Sequence, residues 1–211
     1  MAKKSEQICS DFLVYEHRLK ILFEEFAGSV ELLGIISSKR EVGSIKLIDA
    51  MNTLYGYPNI PIGIAKIYPE ENYVDTATSK RLNYADWVVA NHKYKHTVKN
   101  WDALPDGYKL LRQLLAKEED HSVVVVAVGF STNLARMMES KGDEFSPLGG
   151  KELFAQKVEK VVIMAGNFSE QRAEYNVRKD HFAAVKFYAE CPVPMYFTDY
   201  RLGRTILYPW Q

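Results

Sequence analysis

The chain has 211 residues, 47% hydrophobic and 26% charged, an ordinary globular composition that supports one large domain with a sizeable core. Lys plus Arg and Asp plus Glu are both 27, so no bulk charge draws the protein to nucleic acid or to an anionic membrane surface. No apolar run approaches the ~18 residues of a membrane span, the N-terminal MAKKSEQICS lacks an apolar signal core, and Cys9 and Cys191 match no CxxC or zinc spacing, so the chain reads as cytoplasmic with two unpaired thiols.

In chain order, the apolar run VELLGII (residues 30–36) predicts a strand, and Ile45, Ile48, Met51, Leu54 and Tyr55 predict the helix after it. Gly56 and Pro58 stop that helix, residues 61–67 predict a second strand, and residues 68–78 read as a polar loop. Helical periodicity returns over residues 84–98 and at Tyr108, Leu111, Leu114 and Leu115. The valine-rich stretch 123–128 fits a strand covered on both faces, as in a parallel sheet. A turn at residues 129–133 leads to a helix with Leu134, Met137 and Met138, and a second helix around Leu153 and Phe154 precedes a strand over residues 161–164. A helix presenting Phe182, Val185 and Tyr188 or Ala189, then a strand over residues 194–198, complete the series. Five strands alternating with helices predict one α/β domain over residues 1–211, with an open, mostly parallel sheet flanked by helices. In such sheets ligands bind beyond the strand C-termini, which singles out the loops 37–41, 129–133, 165–176 and 198–201.

Two of these loops carry polar clusters. Ser131, Thr132 and Asn133 stand directly before a helix, where a side-chain oxygen caps free backbone N–H groups. Glu174 and Asn176 stand two apart, either as the start of a helix or as a pair that takes donors and acceptors from a vicinal diol. As loop residues at the mouth of a site, they are expected to add little to core stability. Asp180 reads as a first-turn acid suited to a helix dipole. His92 and His96 are four apart, yet the HKYKH around them is basic and reads as a wet face rather than a metal site. GxGxxG, GxxxxGK(S/T) and GxSxG are all missing from the sequence, so dinucleotide, P-loop and serine-hydrolase sites lack their signatures.

Read together, VELLGIIS, LIDAMNTLYGYPNIPIGIAK, VVVVAVGFSTNLARMM and the long segment KVEKVVIMAGNFSEQRAEYNVRKD resemble, in this order, the inosine-uridine-preferring nucleoside hydrolase family. The most specific parts are the G-x-S-T-N-L-A turn, residues 129–135, and the V-V-I-M-x-G … A-E-Y-N-x-x-x-D segment, residues 161–180, where the family usually has A-E-F-N. The resemblance implies a nucleoside hydrolase-like, Rossmann-like layered fold and calcium-dependent cleavage of the bond between ribose and base in ribonucleosides. It implies that the Thr132 backbone carbonyl is a metal ligand, that Met164, Glu174 and Asn176 contact ribose, and that the chain forms a homo-oligomer.

The sequence also departs from the family. The family opens with a strand that runs into an aspartate-rich calcium loop; here the aligned segment is EQICSDFLVYEHRL, in which Asp11 falls near the first aspartate and Tyr15 and Glu16 near the later pair. Helical spacing of Phe12, Tyr15, Leu19, Leu22 and Phe26 gives Asp11 a second reading, as an N-terminal helix residue. Residues 1–28 are therefore expected to be divergent, with the first strand missing or shrunken, and the family's C-terminal segment, with its last aspartate and its histidine acid, is expected to be absent. On that expectation the active site is degenerate and calcium is weakly held, the alternative function being a non-catalytic module that binds a ribosyl ligand or a partner.

Overall fold

A computed structural model describes residues 5–10, 30–39, 42–67, 95, 97–170 and 173–205. The loop predicted over residues 68–78, most of the helix predicted over 84–98, both histidines of the HKYKH segment, and Asp11 to Phe26 lie outside these residues.

Among the described residues six strands form a single sheet: β1 (Ser5–Ser10), β2 (Val30–Ser37), β3 (Ile62–Ile64), β4 (Val123–Ala127), β5 (Val158–Met164) and β6 (Met195–Thr198). They lie in the order β3-β2-β1-β4-β5-β6, and every neighbouring pair is parallel. The expectation of a missing or shrunken first strand is corrected here. Residues SEQICS alternate too weakly in hydrophobicity to announce a strand, yet they occupy a central place between β2 and β4. The parallel ladders on both sides supply what local propensity does not.

Helices α1 (Val42–Leu54), α2 (Gly107–Leu115), α3 (Thr132–Glu139), α4 (Gly150–Lys157), α5 (Tyr175–Lys179), α6 (His181–Glu190) and α7 (Tyr200–Thr205) connect and flank the strands. Because strand side chains alternate between faces, Ile36, Val123, Val125, Ala127, Val161 and Ile163 share one core with Leu111 and Leu115 of α2, Leu134 and Met137 of α3, Phe154 of α4 and Phe187 of α6. Ile35 points the other way and packs with Ile45 and Ile48 of α1 and with Ile62 and Ile64 of β3. The valine run of β4 is buried as its composition predicted, with Val123 and Val125 at 0% exposure and Val124 at 5%. The apolar face predicted for α6 is different: Ala183, Ala184 and Phe187 are buried, whereas Phe182 and Val185 are exposed. A helix with apolar residues on more than one side does not reveal its inner face by periodicity alone.

Fixing the loop beneath α4, Arg112 of α2 is fully buried, yet its guanidinium is paired throughout. It donates to both carboxylate oxygens of Asp143 (2.6 and 3.0 Å), to Ser140 Oγ, and to the carbonyls of Ser146 and Leu148. That guanidinium holds the Asp143 carboxyl below its ordinary value, against the opposing effect of burial.

Candidate functional site

The strand order places a topological switch point at the centre of the sheet. From β1 the chain winds outward through β2 to β3; it then returns to the other side of β1 and winds away through β4, β5 and β6. Crevices at the C-terminal end of such a switch point are the usual ligand sites of open α/β sheets. Ser10, the last residue of β1, is level with Ile36 of β2 and Ala127 of β4. Asp11 is the next residue in the chain, so the sequence brings a carboxylate directly after the central strand, although Asp11 itself lies outside the described residues.

Met164, Glu174 and Asn176 converge at the end of β5. Gly166, at φ +87°, turns the chain after that strand through a conformation that side chains disfavour, which accounts for the break at Ala-Gly-Asn. Glu174 is the N-cap of α5. Its two carboxylate oxygens accept from the backbone N–H of Asn176 (3.0 and 2.9 Å), and one also accepts from that of Val177 (3.2 Å). The carboxylate is 7% exposed, but an ionised carboxylate offers about four acceptor positions, so capping leaves capacity for a hydroxyl donor. Asn176 turns its amide inward: Nδ2 donates to the carbonyls of Val128 (3.2 Å) and Met164 (3.1 Å) and lies 3.3 Å from the Met164 sulfur. It thereby ties the exits of β4 and β5 together, while its Oδ1 takes no donor from the described residues. Of the two sequence readings of this pair, the helix start is realised in the hydrogen bonds, and its geometry leaves acceptors over for a diol.

Ser131, Thr132 and Asn133 do not act as the capping cluster the sequence suggested. Ser131 occupies the N-cap position of α3 without a side-chain cap bond. Thr132 Oγ1 instead donates to Asp180 Oδ2 at 2.5 Å, and Asn133 Nδ2 donates to the carbonyl of Ser37 at 3.1 Å. Asp180 is not a first-turn acid but the N-cap of α6, accepting from Ala183 N–H through its other oxygen. The buried Asp180 carboxylate therefore joins Thr132 to the helix that follows the A-E-Y-N motif. Beneath these loops, burial raises the Tyr188 phenol above its ordinary value; a hydrogen bond to Ser131 opposes the rise and the nearby Glu174 charge adds to it. Tyr188 is thus a neutral hydroxyl at physiological pH. Sequence reasoning missed Tyr188 as a polar element because its position looked like part of an apolar helix face.

A calcium ion asks for six to eight oxygen ligands. Among the described residues no group of three or more His, Cys, Asp or Glu side chains is placed to hold a metal, and the Thr132 carbonyl would supply a single oxygen. The described donors alone do not fit calcium, and Asp11 lies beyond them. No helix among the described residues is long and apolar enough to cross a membrane.

No known family's sequence pattern matches the chain, and no curated protein matches it either. Solved structures do. A plant nucleoside hydrolase superposes with a TM-score of 0.65 at 15% identity, covering 96% of this chain and 62% of that one. The type III effector protein XopQ, solved in complex with adenosine diphosphate ribose, gives 0.72 at 15% identity over 94% of this chain and 57% of its own. An inosine-uridine-preferring nucleoside hydrolase from Bacillus anthracis gives 0.69 at 16% identity over 97% and 68%. The chain thus has the fold of the nucleoside hydrolases, and it spans about three fifths of the length of the plant enzyme and of XopQ.

Proposed function

We propose that this nucleoside hydrolase-like domain, spanning residues 1–211, holds the ribosyl group of a ribonucleoside at Met164, Glu174 and Asn176, and that hydrolysis of the N-glycosidic bond to ribose and base is its reaction class. The observation that carries this reading is the convergence of the three residues at the end of β5, with acceptor atoms of Glu174 and Asn176 left over after the backbone has been served. In N-ribosyl hydrolysis, positive charge builds on the sugar as the base departs. Preorganised carboxylate and amide oxygens beside the ring stabilise that charge more than they stabilise the neutral ground state. A calcium ion, where a chain of this fold holds one, lowers the pKa of its bound water; the residues described in this chain supply no step through it.

A second reading is ribosyl binding without turnover. It is favoured by the commitment of the Glu174 carboxylate to capping and of the Asn176 amide to β4 and β5. The exposed aromatic residues Phe168, Tyr196 and Tyr200 support association into a homo-oligomer. Titration with inosine, uridine and adenosine diphosphate ribose, followed by NMR, together with a reducing-sugar assay on the nucleosides, tests both readings. Millimolar binding with ribose release supports hydrolysis, and binding without release supports the second reading. No chemical-shift change at Met164, Glu174 or Asn176 with any of the three ligands overturns both.

A further inference from the structure

The loops bordering the switch-point crevice are fastened to each other across the central strand. With β1 between them, β2 and β4 lie about 10 Å apart at the usual strand spacing. Beyond the end of β1 their extensions nevertheless meet. Phe130 N–H donates to Ser38 Oγ at 3.2 Å, and the Asn133 amide donates to the Ser37 carbonyl at 3.1 Å. The same carbonyl accepts from Ala65 N–H at 2.9 Å, which adds the exit of β3. All five residues are buried, with Asn133 only 2% exposed. A Cβ at Gly107, the first residue of α2, would stand 2.7 Å from Asn133 Oδ1 and 2.6 Å from Ile36 Cγ2, so the amide packs against the bare backbone of α2. Because Ser10 is level with Ile36 and Ala127, this cross-link lies just past the end of β1.

We propose that these two hydrogen bonds form a clasp that sets the width of the crevice, and that Ser38 and Asn133 are positioning residues for the ribosyl site. The inference rests on the reading of that site given above. Its route to the ligand is continuous: the clasp holds Phe130 and Asn133; Thr132 between them is bonded to Asp180 at the start of α6; and the exit of β4 is held from the other side where Asn176 donates to Val128. Releasing the clasp frees one border of the crevice while leaving Glu174 and Asn176 chemically intact.

The experiment compares the wild type with Ser38→Ala, which removes one acceptor atom, and with Ser38→Thr, which restores a hydroxyl. Asn133→Ala serves as a second variant on the other hydrogen bond. Three quantities are read: the exchange rate of the Phe130 amide, the melting temperature, and the dissociation constant for inosine and for adenosine diphosphate ribose. In Ser38→Ala the Phe130 amide should exchange about tenfold faster and both ligands should bind three- to tenfold more weakly, with the protein still folded and with Ser38→Thr recovering both values. Asn133→Ala should weaken binding in the same direction. Unchanged affinity in a folded Ser38→Ala whose Phe130 amide has lost protection overturns the positioning role and leaves the ribosyl reading standing. A wild type that binds neither ligand overturns the ribosyl reading and the positioning role with it, and an unchanged Phe130 exchange rate in Ser38→Ala shows that the clasp does not exist.

Discussion

Asn176→Ala tests whether the amide of the A-E-Y-N motif is a free arm at the mouth of a site or a strut between strands. Its Nδ2 donates to two main-chain carbonyls, those of Val128 at 3.2 Å and Met164 at 3.1 Å, at the exits of β4 and β5. Each bond contributes about 0.5–1.5 kcal/mol net, so truncation should destabilise the protein by roughly 1–3 kcal/mol. For a domain of this size each kcal/mol lowers the midpoint by about 2–4 °C, a loss readily seen by calorimetry. Asn176→Asp refines the test, because it keeps the shape and the Oδ1 acceptor but removes both donors and sets a carboxylate against two carbonyl oxygens. The expected order of melting temperatures is wild type, then alanine, then aspartate. Millimolar nucleoside binding, about −4 kcal/mol, should be lost in both variants. An alanine variant that melts within 1 °C of the wild type, or an aspartate variant more stable than alanine, refutes the strut and returns Asn176 to the dispensable loop role that sequence position suggested.

Three further outcomes follow from the same structure. Calcium at millimolar concentration and a chelator should give overlapping melting curves, since a working site would stabilise the native state by RT ln(1 + [L]/Kd); a rise of several degrees with calcium would show that Asp11 and its neighbours complete a ligand set. Asp143 has a depressed carboxyl pKa caused chiefly by Arg112, so its contribution to stability is fully present above the unfolded carboxyl value, about 3.9, and is lost as pH falls through the lower folded value. Urea denaturation between pH 2 and 6 should show that loss in the wild type and a flatter curve in Asp143→Asn, with parallel curves counting against the ion pair as its source. The Asn52 side chain is fully buried, and neither amide atom finds a hydrogen-bond partner among the described residues. Asn52→Leu, which keeps the branched shape but is bulkier, should therefore raise stability by about 1–2 kcal/mol where the added bulk is accommodated, and a lowered melting temperature in both Asn52→Leu and the smaller Asn52→Ala would show that the amide is satisfied in solution.

The parts of the fold legible in the sequence were those where burial writes itself into composition. The valines of β4 announced a strand covered on both faces, and Leu111, Leu114 and Leu115 announced the inward side of α2 because a helix packed on a sheet must place its apolar residues three and four apart. β1 was illegible for the converse reason. Its residues Ser5, Glu6, Gln7 and Ser10 carry almost no strand propensity, and its existence depends on two ladders made with residues far along the chain. Phe182 and Val185 misled for a related reason: periodicity reports that a face is apolar, whereas only the tertiary arrangement decides that Ala183, Ala184 and Phe187 are the side that is buried.

At the candidate site, the sequence showed which residue types were gathered but not what they were bonded to. Glu174, Asn176, Thr132 and Asp180 all stood out as polar residues near strand ends, and all four lie at the C-terminal edge. Their partners are main-chain groups or residues up to 48 positions away, such as Val128 for Asn176 and Asp180 for Thr132, and spacing along the chain carries no trace of such pairings. The clasp is the extreme case, since Ser38 and Phe130 are 92 positions apart and neither has a neighbour that hints at the other. Its bonds join the loops that follow β2 and β4, which stand on either side of β1. The same strand order sets the switch point at which open α/β sheets bind their ligands, so the feature least visible in the sequence lies beside the candidate site.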